Sequence, residues 1–222
     1  MFVGPSATDI EGKDDVETTQ DILDDLAYKA QHSYLTRTKL PMNKIITSFA
    51  GLRAHLPEHE FIIEEAKDAP GFFDALGIES PGLTAAVPIG RMVARMMQEY
   101  EAFKENPEFN PKREGIIRFD EQDDETKAKL IAEDPDYGEV ICRCEKVTKA
   151  EILKAIHNPL GVHTMTGIKY RTRSMMGRCQ GGYCQMRIEK MIEEELGVKD
   201  TDIRYARQNS WMFTGEVRKE EQ

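Results

Sequence analysis

Apolar residues recur at helical spacing in several segments and at strand spacing in only a few short runs. Ile22, Leu26, Ala27, Ala30 and Tyr34 share one face of residues 21–34, which predicts an amphipathic helix capped by Thr18 or Thr19. Leu83, Ala86, Val87, Val93, Ala94 and Met97 predict a second helix. Pro88 fits there only in the first turn, where a missing N–H is harmless, and this sets the start near Ala85. Met92, Met96 and Met97 are expected in the core rather than on a cofactor. Runs at 45–49, 60–64 and 71–78 predict three adjacent strands, and Phe2-Val3 ahead of Gly4-Pro5 has the form of a buried strand's end.

From residue 103 to 137 the chain turns charged and proline-bearing, with a polar helical stretch around 125–132; it reads as a surface linker. Thr148-Lys149-Ala150-Glu151 then forms a capping box, with Val147 and Ile152 at the staple positions and Ile152, Leu153 and Ile156 facing inward. A helix over 165–173 follows Thr164. Another starts near Tyr183, carries Ile188, Met191, Ile192 and Leu196 on one stripe, and stops at Gly197.

Composition narrows the function classes. The 222 residues are 40% hydrophobic and 32% charged, an ordinary globular balance, and the net charge of −10 disfavours a nucleic-acid partner. No transmembrane segment is expected, and the first residues lack the basic-then-apolar order of a signal peptide, so a cytoplasmic location is expected.

All four cysteines lie beyond residue 141, in two tight pairs: Cys142 with Cys144, and Cys179 with Cys184. Residues two apart in an extended segment face one side, so the first pair can aim both sulfurs at one centre. The second pair sits in Gly177-Arg178-Cys179-Gln180-Gly181-Gly182-Tyr183-Cys184, a glycine-rich loop entering a helix, whose free N–H groups suit a negatively charged, sulfur-rich centre. Disulfides fit a reducing compartment poorly, four-Cys zinc is an alternative, and a 2Fe-2S cluster fits best. Residues 138–198 carry ten Lys and Arg against seven Glu, a net of +3, so the rest of the chain carries −13. Arg143 and Arg178, beside the cysteines, are the best placed to tune such a centre. The five histidines show no ligand spacing, and the catalytic residues are unknown.

The segment 140–148 together with 177–184 resembles the 2Fe-2S domain of the bacterioferritin-associated ferredoxin type, in the variant appended to flavin-dependent dehydrogenases. The resemblance implies that Cys142, Cys144, Cys179 and Cys184 all ligate the cluster. Ser48-Phe49-Ala50-Gly51-Leu52-Arg53 and 77–85 resemble closing segments of the FAD-dependent oxidoreductase family that includes glycerol-3-phosphate dehydrogenase. That resemblance implies an FAD border formed by Gly51, Leu52, Arg53, Gly82, Leu83 and Thr84.

The expected architecture is α+β: an incomplete flavoprotein domain of few strands plus helices (1–105), a linker (106–137), a small all-helical four-Cys domain (138–200) and a tail (201–222). The sequence contains no GxGxxG turn for the FAD pyrophosphate, so the chain reads as the C-terminal part of a longer enzyme. The expected partners are an electron-acceptor protein and a missing FAD-binding half, on the same chain or on another. The expected function is a flavin-dependent dehydrogenase whose cluster relays electrons from FAD, the fragment alone being inactive. The alternative is a non-catalytic structural or docking module holding zinc or a cluster.

Overall fold

A computed structural model describes residues 1–33, 40–207 and 209–215. The chain divides into two compact units, Met1–Pro111 and Lys112–Gln222.

In the first unit, α1 (Gln20–His32) follows Thr19, whose side chain makes no capping bond. The Thr19 hydroxyl is engaged instead by the Asp21 carboxyl, which it holds below the usual carboxylate range. Tyr34, expected to close this helix, lies outside the described residues. Strands β1 (Ile62–Glu65) and β2 (Phe73–Leu76) pair antiparallel, with Ile62 opposite Leu76 and Glu65 opposite Phe73. Two of the three expected strands therefore form. The run at 45–49 does not: Ile45 and Ile46 are exposed, and no described strand offers them a ladder, without which an extended segment gains no hydrogen bonds. For the same reason Phe2-Val3 is not a buried strand end; Phe2 is exposed and meets the edge of Phe49, ring centres 6.2 Å apart.

Helix α2 (Gly82–Tyr100) begins three residues earlier than Pro88 had implied, and Pro88 lies inside it. The ladder opens where the Ala85 N–H donates to the Pro81 carbonyl at 3.0 Å. An interior proline removes the bond to the Thr84 carbonyl at a typical cost of about 3 kcal/mol. The helix has an apolar stripe but buries nothing: Leu83 is 94% exposed, and Met92 and Met97 stand in solvent rather than in a core. Across the whole of residues 1–111, no described residue is buried.

The second unit holds the core. Helix α3 (Asp124–Glu133) is capped by Asp123, whose carboxylate accepts from the Thr126 N–H at 2.7 Å. Phe119 stacks on the buried Tyr137, ring centres 5.8 Å apart, so the stretch before the cysteines packs within this unit. Strands β3 (Val140–Cys142) and β4 (Val147–Thr148) pair antiparallel with an irregularity between Val140 and Cys142. The cysteine domain is thus not all-helical: a short hairpin carries the first cysteine pair, because turning the chain between Cys142 and Val147 needs extended arms.

Helix α4 (Lys149–Ile156) has its capping box closed: Glu151 accepts from the Thr148 N–H at 2.9 Å and the Thr148 hydroxyl at 2.8 Å. The staple residues Val147 and Ile152 are both fully buried. Thr164 caps α5 (Met165–Thr172) through the Gly167 N–H at 3.0 Å, and α6 (Gln185–Leu196) ends on Gly197 in the left-handed region. Ile152, Ile156, Met165, Ile168, Ile188 and Ile192 converge between the three helices. Burying a side chain of that size contributes about 1.5–3 kcal/mol each before entropy is counted. That core fixes the two segments bearing the cysteines.

Candidate metal centre

The hairpin end and the loop ahead of α6 bring the four thiols together. Cys142 and Cys184 are buried and hydrogen-bonded sulfur to sulfur; Cys144 and Cys179 are exposed and bonded to each other in the same way. Cys179 also feels the charge of Cys142. The Cys184 thiol donates to Cys142 and holds it down at about 6, against burial. The same bond, with burial, pushes Cys184 up.

Backbone amides complete the cradle. The N–H groups of Glu145, Met175 and Cys144 donate to Cys142, those of Tyr183 and Gly181 donate to Cys179, and Met175 also reaches Cys184. The Tyr183 N–H is the largest of the influences holding Cys179 below the ordinary thiol value. Met175 (φ 64°) and Gln180 (φ 49°), the latter just before Gly181, lie in the left-handed region despite carrying a Cβ, as does Lys146 (φ 50°) in the turn after Cys144. A Cβ on Gly177 would overlap that of Cys144, so only glycine lets the two segments approach this closely. Sequence patterning marks Gly177, but nothing in it marks Met175, an ordinary buried apolar residue whose amide rather than side chain does the work.

The donor set is four soft thiolates with N–H groups aimed at sulfur, which fits zinc or iron–sulfur chemistry and not hard cations. A single tetrahedral zinc would require all four sulfurs within about 3.8 Å of one another. Among the described residues, no three His, Cys, Asp or Glu side chains are close enough to hold one ion as they stand. Four cysteines also suit a two-iron cluster, which takes two of them at each iron.

In the first unit, the two segments expected at the flavin meet. Arg53 donates to the Ser80 hydroxyl at 3.3 Å and pairs with Glu79 at 3.5 Å, just before Gly82 opens α2. Glu79 is held below the usual carboxylate range by His59, at 2.6 Å, and then by Arg53. His59 in turn stacks on His55, ring centres 4.9 Å apart. Spacing alone gave these histidines no role, since Glu79 joins them only through the fold. Gly51, Leu52, Leu83 and Thr84 are exposed and gathered around no common point by any described contact.

Comparison with known proteins agrees with both halves. Residues 140–194 match the family model of the BFD-like [2Fe-2S] binding domain, and residues 1–96 match that of the FAD dependent oxidoreductases. The chain is thus similar to FAD dependent oxidoreductases in its first part and to a BFD-like [2Fe-2S] binding domain in its second. Over its whole length it is 41% identical to a glycerol 3-phosphate dehydrogenase of Caloramator mitchellensis, of which it spans 46%. It is 34% identical over 128 residues to the HcnB component of the hydrogen cyanide synthase of Pseudomonas protegens, covering 54% of this chain and 27% of that protein. Over 57 residues it is 36% identical to one component of the anaerobic glycerol-3-phosphate dehydrogenase of Escherichia coli, 26% of this chain and 10% of that component. No solved structure gives a significant match. No helix among the described residues is long and apolar enough to cross a membrane.

Proposed function

We propose that Cys142, Cys144, Cys179 and Cys184 hold a [2Fe-2S] cluster that relays electrons from the flavin of a dehydrogenase acting on a small hydroxylated substrate such as glycerol 3-phosphate. When bound, the flavin would supply hydride acceptance and the cluster one-electron transfer. The observation that carries this reading is the arrangement of the free thiols as two neighbouring pairs, one buried and one exposed, with backbone amides directed at them.

The chain's own residues divide the task. Cys142 and Cys184 anchor the centre against the core, while the amides of Met175, Glu145 and Tyr183 offset its negative charge. Arg53, held by Ser80 and Glu79, and the first turn of α2 at Gly82, Leu83 and Thr84 would border the flavin, where the Gly82 N–H is taken by the Glu79 carbonyl and the N–H groups that follow it would stabilise electron-rich atoms. The bare apolar face of α2 fits a role as the seat for an FAD-binding portion outside this chain, since the chain spans about half of the glycerol 3-phosphate dehydrogenase it matches.

The relay is tested by reconstituting the chain anaerobically with iron and sulfide and mixing it with chemically reduced FMN. Uptake of one electron per chain, seen as bleaching of the visible bands, supports the relay. A chain that holds its iron but takes up no electron contradicts it.

A further inference from the structure

The cysteine site has a covered side and an open one, and the open side has a character of its own. Beside the exposed Cys144 and Cys179 in the chain, Arg143, Arg178 and Tyr183 are all exposed. The Arg143 guanidinium lies 4.3 Å from the centre of the Tyr183 ring, and Arg187 lies 5.6 Å from the same ring, so one aromatic carries two cations. Arg187 is paired with Glu139 at 2.9 Å. Glu145, which follows Cys144, is turned to Arg173 at 3.2 Å. Among the described residues no carboxylate pairs with Arg143 or Arg178.

The rim therefore presents uncompensated guanidinium groups and an aromatic ring beside the exposed cysteine pair, on a chain whose net charge is −10. Stacking on Tyr183 restricts Arg143 before any partner arrives, which lowers the ordering cost of binding. A positive patch built on an aromatic ring is complementary to an acidic protein surface, and it steers such a partner on approach.

We propose that this rim docks an acidic protein that carries one electron at a time, placing its redox centre against the Cys144–Cys179 edge. The inference rests on the cluster reading above and adds the partner's chemistry to it. The transfer it serves moves one electron from the cysteine-held centre to the carrier, oxidising the first and reducing the second, with no bond made or broken. The competing role for the arginines is to offset the charge of the centre alone.

The test uses the full chain, reconstituted with iron and sulfide, and an acidic flavodoxin as probe, with binding followed by calorimetry. Saturable binding is expected that weakens about tenfold or more between about 20 and about 200 mM salt. The double substitution Arg143→Gln with Arg178→Gln is expected to weaken binding about tenfold while the visible spectrum persists. Absence of binding, insensitivity to salt, or equal binding by the double variant with only its reduction potential changed would each overturn the proposal. Should that variant lose its cluster, the single substitution Arg143→Gln tests the same rim, and unchanged binding by it counts equally against docking. A wild-type chain that acquires no cluster spectrum overturns the underlying reading, an outcome distinct from a coloured chain that does not dock.

Discussion

Gly177 and Cys144 lie so close that a methyl group on the glycine would occupy the space of the cysteine's Cβ. This contact joins the hairpin to the loop before α6, and with it the first cysteine pair to the second. Gly177→Ala is therefore expected to cost about 1–3 kcal/mol by overpacking and to reduce retained iron. Gly182→Ala, whose Cβ would stand 3.2 Å from the Cys179 carbonyl, is expected to cost less. Thermal unfolding and iron content of the two variants, side by side, check the difference.

The capping box at the start of α4 is buried, so its loss leaves donors without water to replace their partners. Thr148→Ala is expected to lower stability by about 1–2 kcal/mol, read as a shifted urea midpoint with an unchanged slope.

Glu189 on α6 is buried with one carboxylate oxygen unpartnered, and burial first, then Glu193 and Asp200, raises it above its ordinary value of 4.5. The native state thus binds this proton more tightly than the unfolded state. Its contribution to stability is full below 4.5 and is lost as pH rises through the raised native value. Glu189→Gln is expected to flatten that decline and to be the more stable protein at pH 8, as measured by urea unfolding across pH.

The helices of the second unit were legible because each carries a local signal: the capping box at Thr148, the stripe from Ile188 to Leu196, the stop at Gly197. What the sequence did not reveal depends on contacts between distant segments. The run at 45–49 has strand composition but finds no strand to pair with, and Pro88 sits inside a helix because the ladder begins at the Pro81 carbonyl. The cysteines were visible as residue types, whereas their division into a covered and an exposed pair, and the part played by the Met175 amide, belong to the tertiary structure.

The two units should respond differently to loss of apolar side chains. Ile152→Ala, in the core, is expected to cost about 2–5 kcal/mol, whereas Leu83→Ala, 94% exposed on α2, should change stability by less than about 0.5 kcal/mol in this chain. A large loss from Leu83→Ala would mean that α2 is already covered in solution.

The most direct test of the central claim is the stoichiometry of iron and acid-labile sulfide in anaerobically reconstituted protein, with and without the substitution Cys142→Ser. Two irons and two sulfides per chain, a reducible visible spectrum, and loss of both on substitution are what four sulfurs arranged as two pairs predict. One tightly bound zinc per chain, with no labile sulfide under any anaerobic condition, would contradict it.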